Sequence, residues 1–195
     1  MALLNDSKYG HQIKGRTIDL NLLRSVPYPG PRLVADDAVA PGDPHHAYTD
    51  QCDHSFRYAL FPHAGDGLSA GVVQAAYGFN IPLQMLAATP HPGALPAAAA
   101  WIEIDSPDVV VETVKQAEDG DGLIVRVYEA TGASVQAHLR PGFLVSRAEE
   151  ADLLERAERT LDLTDAAIAL AFRPFEIKTL RLRPLHESSQ SAGAA

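Results

Sequence analysis

Cysteine is almost missing from this sequence, which contains only Cys52 among its 195 residues. A single cysteine excludes a disulfide bond within the chain. The N-terminus also lacks a charged segment followed by an apolar run and a small-residue cleavage site, which is the pattern of a secretory signal. These two absences predict a protein that works in a reducing, cytoplasmic compartment.

Long apolar runs and clusters of basic residues are missing as well. The longest apolar stretches, GLIVRVYEA and AAAAWIEI, are far shorter than the ~20 residues that a membrane-spanning helix needs. The formal net charge is -9 and the Lys and Arg residues are scattered, whereas nucleic acids and anionic membranes bind a basic face. We therefore expect neither a nucleic-acid partner nor a membrane partner.

The most frequent pattern in the sequence is an alternation of apolar and polar residues. In TIDLNLLRS, Ile18, Leu20 and Leu22 are separated by polar residues, as in half-buried strands whose successive side chains face opposite sides of a sheet. The same pattern predicts strands in SFRYALFPH, AAWIEIDS, AAIALAFRP and FEIKTLRLR. In the last of these, a slip of one residue at Lys178 and Thr179 predicts a β-bulge.

The connections between the predicted strands indicate the fold class. GLIVRVYEA and ASVQAHLR are separated by a short connection at Thr131 and Gly132 and predict a β-hairpin. A chain of 195 residues with 46% hydrophobic residues can form one sizeable core. Many short strands, with Gly and Pro between them, predict an all-β fold: an antiparallel β-sandwich over residues 1–186, with one or two short connecting helices.

Helices and loops are predicted for the remaining segments. GLSAGVVQAAYGFN predicts a short helix with Ser69 as its cap and Gly78 as its stop, and SRAEEADLLERA predicts another from the capping-box spacing after Ser146. Residues 25–53 contain five prolines and form a long loop, a kind of segment that is usually functional or flexible. Residues 187–195 predict a disordered tail.

Three sets of side chains could carry chemistry, and each has a simpler structural interpretation. GLSAG matches the nucleophile elbow of α/β-hydrolases at Ser69, but the buried strand and the βαβ units that the motif requires are missing, so a helix start is the simpler interpretation. Carboxylates such as Asp105 with Asp108, or the EDGDG run at 118–122, could pair as acid and base or could form turns. A loose cluster of possible zinc ligands consists of His45, His46, Asp50, Asp53, His54 and His63. Its spacing fits no common zinc signature, and its alternative is a solvated loop.

Five segments, taken in order, resemble one known protein region. They are ALLNDSKYGHQIKG, LNLLRSVPYPGP, TDQCDHSFRYALFPHAGD, IDSPDVVVETVKQAEDGDGLIVRVYEATG and LAFRPFEIKTLRLR. They resemble the C-terminal β domain of the family 38 glycoside hydrolases, the class II α-mannosidases, in the cytosolic and bacterial branch. The resemblance runs from about Ala2 to Leu182 and so covers nearly the whole chain.

The resemblance implies that the chemistry of the parent enzyme lies outside this chain. Family members are retaining α-mannosidases in which an N-terminal α/β barrel supplies the nucleophile, the acid/base carboxylate and a divalent metal, usually zinc, held by two His and two Asp. None of those motifs matches residues here, so the resemblance implies no catalytic residue, metal ligand or cofactor in this chain. It implies that the partners are the parent's own catalytic and helical domains, together with α-mannosides.

The resemblance also implies which residues approach the substrate. In the family, the β domain reaches the active site through a loop after a strand like IDLNLLRS, which corresponds to residues 25–53 here. The family pattern of Asp, Gln, Gly, an acid and His corresponds to Asp50, Gln51, Cys52, Asp53 and His54, with Cys52 in place of Gly. The predicted substrate-binding residues are Tyr28, Asp50, Gln51 and His54. Alternatively, Asp50 and His54 close the loop through hydrogen bonds.

Sequence reasoning thus favours the C-terminal, non-catalytic domain of an α-mannosidase that is inactive on its own. Leu3 and Leu4 enter a predicted strand directly after Met1, as expected inside a longer polypeptide. The alternative is a free-standing carbohydrate-binding or interaction module. Trp101 could stack on a sugar in such a module, although its alternating strand predicts core packing. Apolar surface left by missing neighbours would also allow homo-oligomers.

Overall fold

Thirteen β-strands and one helix form the described part of the chain, which is residues 1–26, 50–68, 71–90, 92–93 and 96–185 of a computed structural model. Helix α1 spans Val72–Asn80 and lies between β4 and β5 in the chain. The strands are β1 (Ala2–Asn5), β2 (His11–Lys14), β3 (Thr17–Leu20), β4 (Tyr58–Phe61), β5 (Ile102–Ile104), β6 (Val109–Gln116), β7 (Leu123–Glu129), β8 (Val135–Pro141), β9 (Val145–Ala151), β10 (Ala157–Leu161), β11 (Leu163–Thr164), β12 (Ala167–Phe172) and β13 (Ile177–Pro184). The predicted tail at residues 187–195 lies outside the described residues.

The chain divides into two compact units. The first consists of Met1–Ala64 with Ala75–Leu83, and the second consists of Gly65–Gln74 with Gln84–Ala195. The predicted single domain over residues 1–186 stays a prediction. Within the described ranges no helix is long and apolar enough to cross a membrane.

The first unit contains two small antiparallel sheets. Strand β1 pairs with β4, and β2 pairs with β3 through the two-residue turn at Gly15 and Arg16. Gly15 has φ +60°, and Arg16 does not share the positive φ, which is the pattern of a type II′ turn with Gly at its first position. Leu4 is buried, whereas Ile18 stays exposed, and β3 ends at Leu20, before Leu22 of the predicted strand.

The second unit contains the two sheets of a β-sandwich. One sheet has the order β10-β9-β13-β7-β6, the other has the order β11-β12-β8-β5, and every pairing is antiparallel. Alternate residues of both sheets point into one core, so Val125 and Leu180 of the first sheet cluster with Leu139 and Leu170 of the second. The predicted all-β, antiparallel fold is confirmed.

Two local structures predicted for the sandwich, a β-hairpin and a β-bulge, are wrong. Strands β7 and β8 form where the sequence predicts them, but they belong to different sheets and do not pair with each other. The connection after Glu129 therefore crosses from one sheet to the other. The bulge predicted at Lys178 and Thr179 is absent: the register of β13 with β7 has no shift, and the register with β9 shifts only between Arg183 and Pro184.

Three further predictions need correction. The helix predicted after Ser146 is replaced by strand β9, which pairs with β10 and β13 and buries Ala148 and Ala151. Trp101 is 59% exposed instead of packing in the core, since it precedes the three-residue strand β5. The helix predicted after Ser69 is α1, but it continues through Gly78 to Asn80, and Ser69 itself lies outside the described residues.

Candidate functional site

The described part of the predicted substrate loop is the segment from Asp50 to His54. Gln51 Nε2 donates to Ser25 Oγ at 2.7 Å. His54 Nε2 lies 3.0 Å from the carbonyl oxygen of Asp50, and because a carbonyl oxygen only accepts, this contact assigns the proton to Nε2. Asp50 has φ +57°, which lets the chain turn there. These contacts close the segment into a turn, and Tyr28 lies outside the described residues.

The side chains of this segment face solvent. Asp50, Gln51, Cys52 and Asp53 line an open depression of about 640 Å³ together with Leu23, and all of them are exposed. Carboxylate and amide groups can bind hydroxyls, but water competes for each of these exposed groups. The segment therefore supplies suitable ligand-binding groups without an enclosed pocket, and the substrate-binding roles of Asp50, Gln51 and His54 stay predictions.

Near the first strand, the first unit contains a polar network that sequence reasoning missed. Both carboxylate oxygens of Asp6 accept from Arg57, one from its backbone N–H at 2.9 Å and one from Nε at 3.0 Å. These bonds, led by the backbone N–H, lower the pKa of Asp6. Arg57 also lies over the ring of Phe79, and Asn80 Nδ2 donates to the carbonyl oxygen of Asn5. The only sequence signal for this network was the run of turn-forming residues NDS at positions 5–7.

Three of the acidic residues proposed for acid/base pairs, Asp105, Asp119 and Asp121, have structural partners. The backbone N–H of His138 donates to Asp105 at 2.7 Å and leads the effects that lower the pKa of Asp105. In the β6–β7 connection, Asp119 pairs with Arg181 and Asp121 pairs with Arg183, both at 2.8 Å. The backbone N–H of Asp121 and then Arg181 lower the pKa of Asp119. Asp119 and Asp121 hold the β6–β7 turn, which was the simpler interpretation of their sequence, whereas Asp105 ties the end of β5 to β8.

Glu129 is the most buried acid of the sandwich, with 0% of its surface exposed. Its carboxylate accepts the N–H groups of Thr131, Gly132 and Phe175 at 2.7–2.9 Å and the Thr131 hydroxyl at 2.5 Å. Burial by itself would raise the pKa of Glu129, but these hydrogen bonds outweigh it and lower the pKa to about 2. Glu129 is thus an anion that ties the β7–β8 and β12–β13 connections together.

The proposed zinc ligands do not come together among the described residues. Within those ranges no group of three or more His, Cys, Asp or Glu side chains could hold a metal ion, and His45 and His46 lie outside them. Asp50, Asp53, His54 and His63, the described members of the proposed cluster, therefore form no metal site, and the family resemblance implies its site of two His and two Asp only for the catalytic barrel outside this chain.

Comparison with known families matches the sandwich to one domain type. Residues 108–180 match the glycosyl hydrolases family 38 C-terminal beta sandwich domain. The matched range begins just before β6 and extends into β13, so it contains four of the five strands of the larger sheet together with β8, β11 and β12. The resemblance predicted from the sequence is confirmed.

Comparison with curated proteins matches nearly the whole chain. Alpha-mannosidase 2C1 of Homo sapiens is 41% identical over 189 residues, and Alpha-mannosidase G of Dictyostelium discoideum is 32% identical over 190 residues. Alpha-mannosidase of Saccharomyces cerevisiae is 28% identical over 210 residues. Each match covers 93% of this chain but only 16–17% of the relative. The chain therefore spans about a sixth of the length of these relatives.

Proposed function

Because this chain belongs to glycosyl hydrolase family 38 through the C-terminal β-sandwich domain at residues 108–180, we propose that it is the non-catalytic C-terminal part of an α-mannosidase. The observation that carries this proposal is the match of 93% of the chain to α-mannosidases of which it spans only 16–17%. In this proposal the rest of a parent polypeptide supplies the catalytic residues.

The parent in this proposal hydrolyses terminal α-linked mannose with a divalent metal, zinc being the first candidate. Retaining hydrolysis needs two carboxylates ~5 Å apart on either side of the glycosidic bond. The sandwich carboxylates with strong contacts, such as Glu129, Asp105 and Asp119, bind backbone N–H groups or basic side chains instead. Their engagement supports a structural contribution of this chain to the enzyme.

The segment from Asp50 to His54 is the proposed contribution of this chain to the substrate site. Its exposed carboxylates and amide could bind mannose hydroxyls once the parent's other domains exclude water from the depression. We place the parent enzyme in the cytoplasm, supported by the single, unpaired Cys52. The catalytic and helical domains of the parent are the proposed partners.

An activity assay on two chains tests the proposed function. The 195-residue chain with added Zn²⁺ or Co²⁺ should not hydrolyse an aryl α-mannoside, whereas the chain joined to the polypeptide encoded upstream of Met1 should hydrolyse it. Turnover by the short chain would contradict the proposal. A stop codon and a ribosome-binding site directly upstream of Met1 would also contradict it and would favour a free-standing module.

A further inference from the structure

The outward side of β7 and β13 carries a small depression that is lined by apolar side chains and by three charged residues, of which Glu129 is fully buried. Its volume is about 290 Å³, and it is lined by Phe175, Ile177 and Tyr128 together with Glu112, Arg126 and Glu129. Ligand pockets for drug-sized molecules begin near ~300 Å³, so this depression has room for a single ring rather than an extended ligand.

Phe175 has a strained backbone conformation, and its ring packs closely on a neighbouring turn. Phe175 has φ +58°, a left-handed conformation that bulky residues rarely adopt. Its N–H donates to the fully buried Glu129 at 2.9 Å. The tip of its ring packs so closely on Gly132 that a Cβ there would lie 2.8 Å from it. Phe175 nevertheless stays 63% exposed. Strain that the surroundings enforce in this way is frequent at functional sites.

A β-bulge brings an acid to the same depression. The register of β6 with β7 changes from Val111 opposite Val127 to Thr113 opposite Arg126, so Glu112 is the extra residue of the bulge. Bulges redirect side chains and often lie beside active sites. Within the described ranges neither Glu112 nor Arg126 belongs to an ion pair. Glu112 Oε2 accepts from the Thr113 hydroxyl, and Arg126 Nε donates to Thr179 Oγ1 at 3.4 Å. The other carboxylate oxygen of Glu112 and the terminal guanidinium nitrogens of Arg126 therefore remain for a ligand.

We propose that this depression binds one saccharide ring, with a C–H face of the sugar on Phe175 and its hydroxyls on Glu112 and Arg126. Glu112 and Arg126 carry opposite charges, so an ion of either sign would be attracted by one group and repelled by the other, with little net gain. A purely apolar group would remove water from both charges without replacing their hydrogen bonds. A sugar ring is neutral, presents an apolar face and carries hydroxyls that both donate to Glu112 and accept from Arg126.

The choice of a mannoside as the first ligand rests on the proposed function, whereas the site itself does not. Methyl α-D-mannopyranoside, methyl α-D-glucopyranoside and methyl β-D-galactopyranoside are titrated into the ¹⁵N-labelled 195-residue chain, and backbone amide shifts are followed. We expect saturable shifts at Glu112, Arg126 and Ile177 with a millimolar dissociation constant, as for a small ligand in an open site. A preference for mannoside would support the mannosidase context, and equal binding of all three would support the site without that context.

Substitution of Phe175 by Gly provides the sharpest variant. Gly accepts φ +58° without strain and keeps the backbone N–H that Glu129 binds, so Phe175→Gly removes the ring while preserving the turn. We expect affinity to fall roughly tenfold or more, as for the loss of a central aromatic contact. The matched control is Leu144→Ala, which changes an apolar residue of the same unit that is 65% exposed and should leave affinity unchanged.

Two results would overturn the proposal. One is the absence of saturable shifts with any of the three glycosides in the folded chain. The other is equal affinity of Phe175→Gly and the unchanged chain, which would place any sugar binding elsewhere. Neither result bears on the activity assay of the joined chain, so failure of the saccharide site is distinguishable from failure of the proposed function.

Discussion

The β-sandwich and the first unit use the same alternating sequence pattern but bury their strands to different extents. In the sandwich, Leu180 and Leu182 have no exposed surface, because β13 lies between two other strands and beneath a second sheet. In the first unit, Tyr58 and Leu60 of β4 are 57% and 62% exposed, and their sheet has only two strands. Alternation thus specifies a strand, whereas burial requires further strands or a second layer.

The two regions also differ in how deeply their charged side chains are buried. In the sandwich, Glu129 is buried, and backbone N–H groups donate hydrogen bonds to its carboxylate and stabilise its negative charge. In the first unit, the side chain of Arg57 is 55% exposed although it pairs with Asp6. The sandwich thus satisfies this buried charge internally, while the first unit presents polar and apolar groups that another surface could cover.

Among the changes that test this comparison, deletion from Phe175 onward should lower the stability of the sandwich the most. It removes β13, the middle strand of the five-stranded sheet. Each buried leucine of β13 contributes about 1.5–3 kcal/mol, and total stabilities are only about 5–15 kcal/mol. We therefore expect no cooperative unfolding transition by circular dichroism.

The matched deletion in the first unit removes residues 11–20 and joins Gly10 to Asn21, which already share a 2.8 Å hydrogen bond. It should leave the sandwich transition in place, and a folded Phe175 truncation would contradict the central role of β13.

A pair of identical leucine substitutions gives the next largest contrast. Leu180→Ala in the sandwich should cost about 2–5 kcal/mol, because a cavity replaces a side chain with no exposed surface. Leu83→Ala in the first unit should change stability by less than about 0.5 kcal/mol, because Leu83 is 99% exposed. Urea titrations measure both free energies of unfolding. Similar losses for the two variants would mean that Leu83 is covered in solution.

Sequence patterns predicted strands better than their partners. The alternation in AAIALAFRP and FEIKTLRLR correctly predicts β12 and β13, since each strand shows a period of two. The pairing of β7 with β8 was wrong, because a short connection of turn residues fits a hairpin and a crossing between sheets equally well. The helix predicted after Ser146 was wrong because capping-box spacing is a local signal, which strand pairing with β10 and β13 overrides.

The candidate sites were predictable to different extents. The segment from Asp50 to His54 came from family resemblance, and its turn geometry needs the backbone conformation of Asp50, which no pattern reveals. The depression at Phe175 was missed altogether. Its parts lie on β6, β7, the β12–β13 connection and β13, and only tertiary structure brings together residues so distant in sequence.

Glu129→Gln tests the charge contrast between the regions. The amide would turn an N–H donor toward backbone donors, so we expect a loss of about 1–3 kcal/mol at neutral pH. Because the pKa of Glu129 is lowered from 4.5 to about 2, its stabilisation is complete above pH 4.5 and is lost as the pH falls toward 2.

The stability gap between Glu129→Gln and the unchanged chain should therefore narrow over that pH range, as measured by thermal unfolding. The counterpart in the first unit is Asp6→Asn, which changes a solvent-accessible ion pair and should have a much smaller effect. A gap for Glu129→Gln that stays constant between pH 4.5 and 2 would show that Glu129 does not carry the proton linkage.

The smallest contrast concerns the hairpin turns of the two regions. In the sandwich, Asp165 and Ala166 join β11 to β12 with φ +51° and +57°, a type I′ turn that favours Gly at its second position. Ala166→Gly relieves a left-handed strain of roughly 1–2 kcal/mol. It also adds flexibility to the unfolded chain, which costs about 0.4–1 kcal/mol, so the net stabilisation should be about 0.5–1 kcal/mol.

The opposite substitution belongs in the first unit, where Gly15 has φ +60° and open space around its Cβ position. Gly15→Ala should destabilise the β2–β3 hairpin by about 0.5–1 kcal/mol, since only the backbone conformation opposes the new methyl group. Amide hydrogen exchange in β2 and β3 measures this change, and urea titration measures the gain from Ala166→Gly. Because the hairpin is exposed, its faster exchange should occur without any shift of the sandwich transition. A shift of that transition by Gly15→Ala would show that the hairpin and the sandwich unfold together.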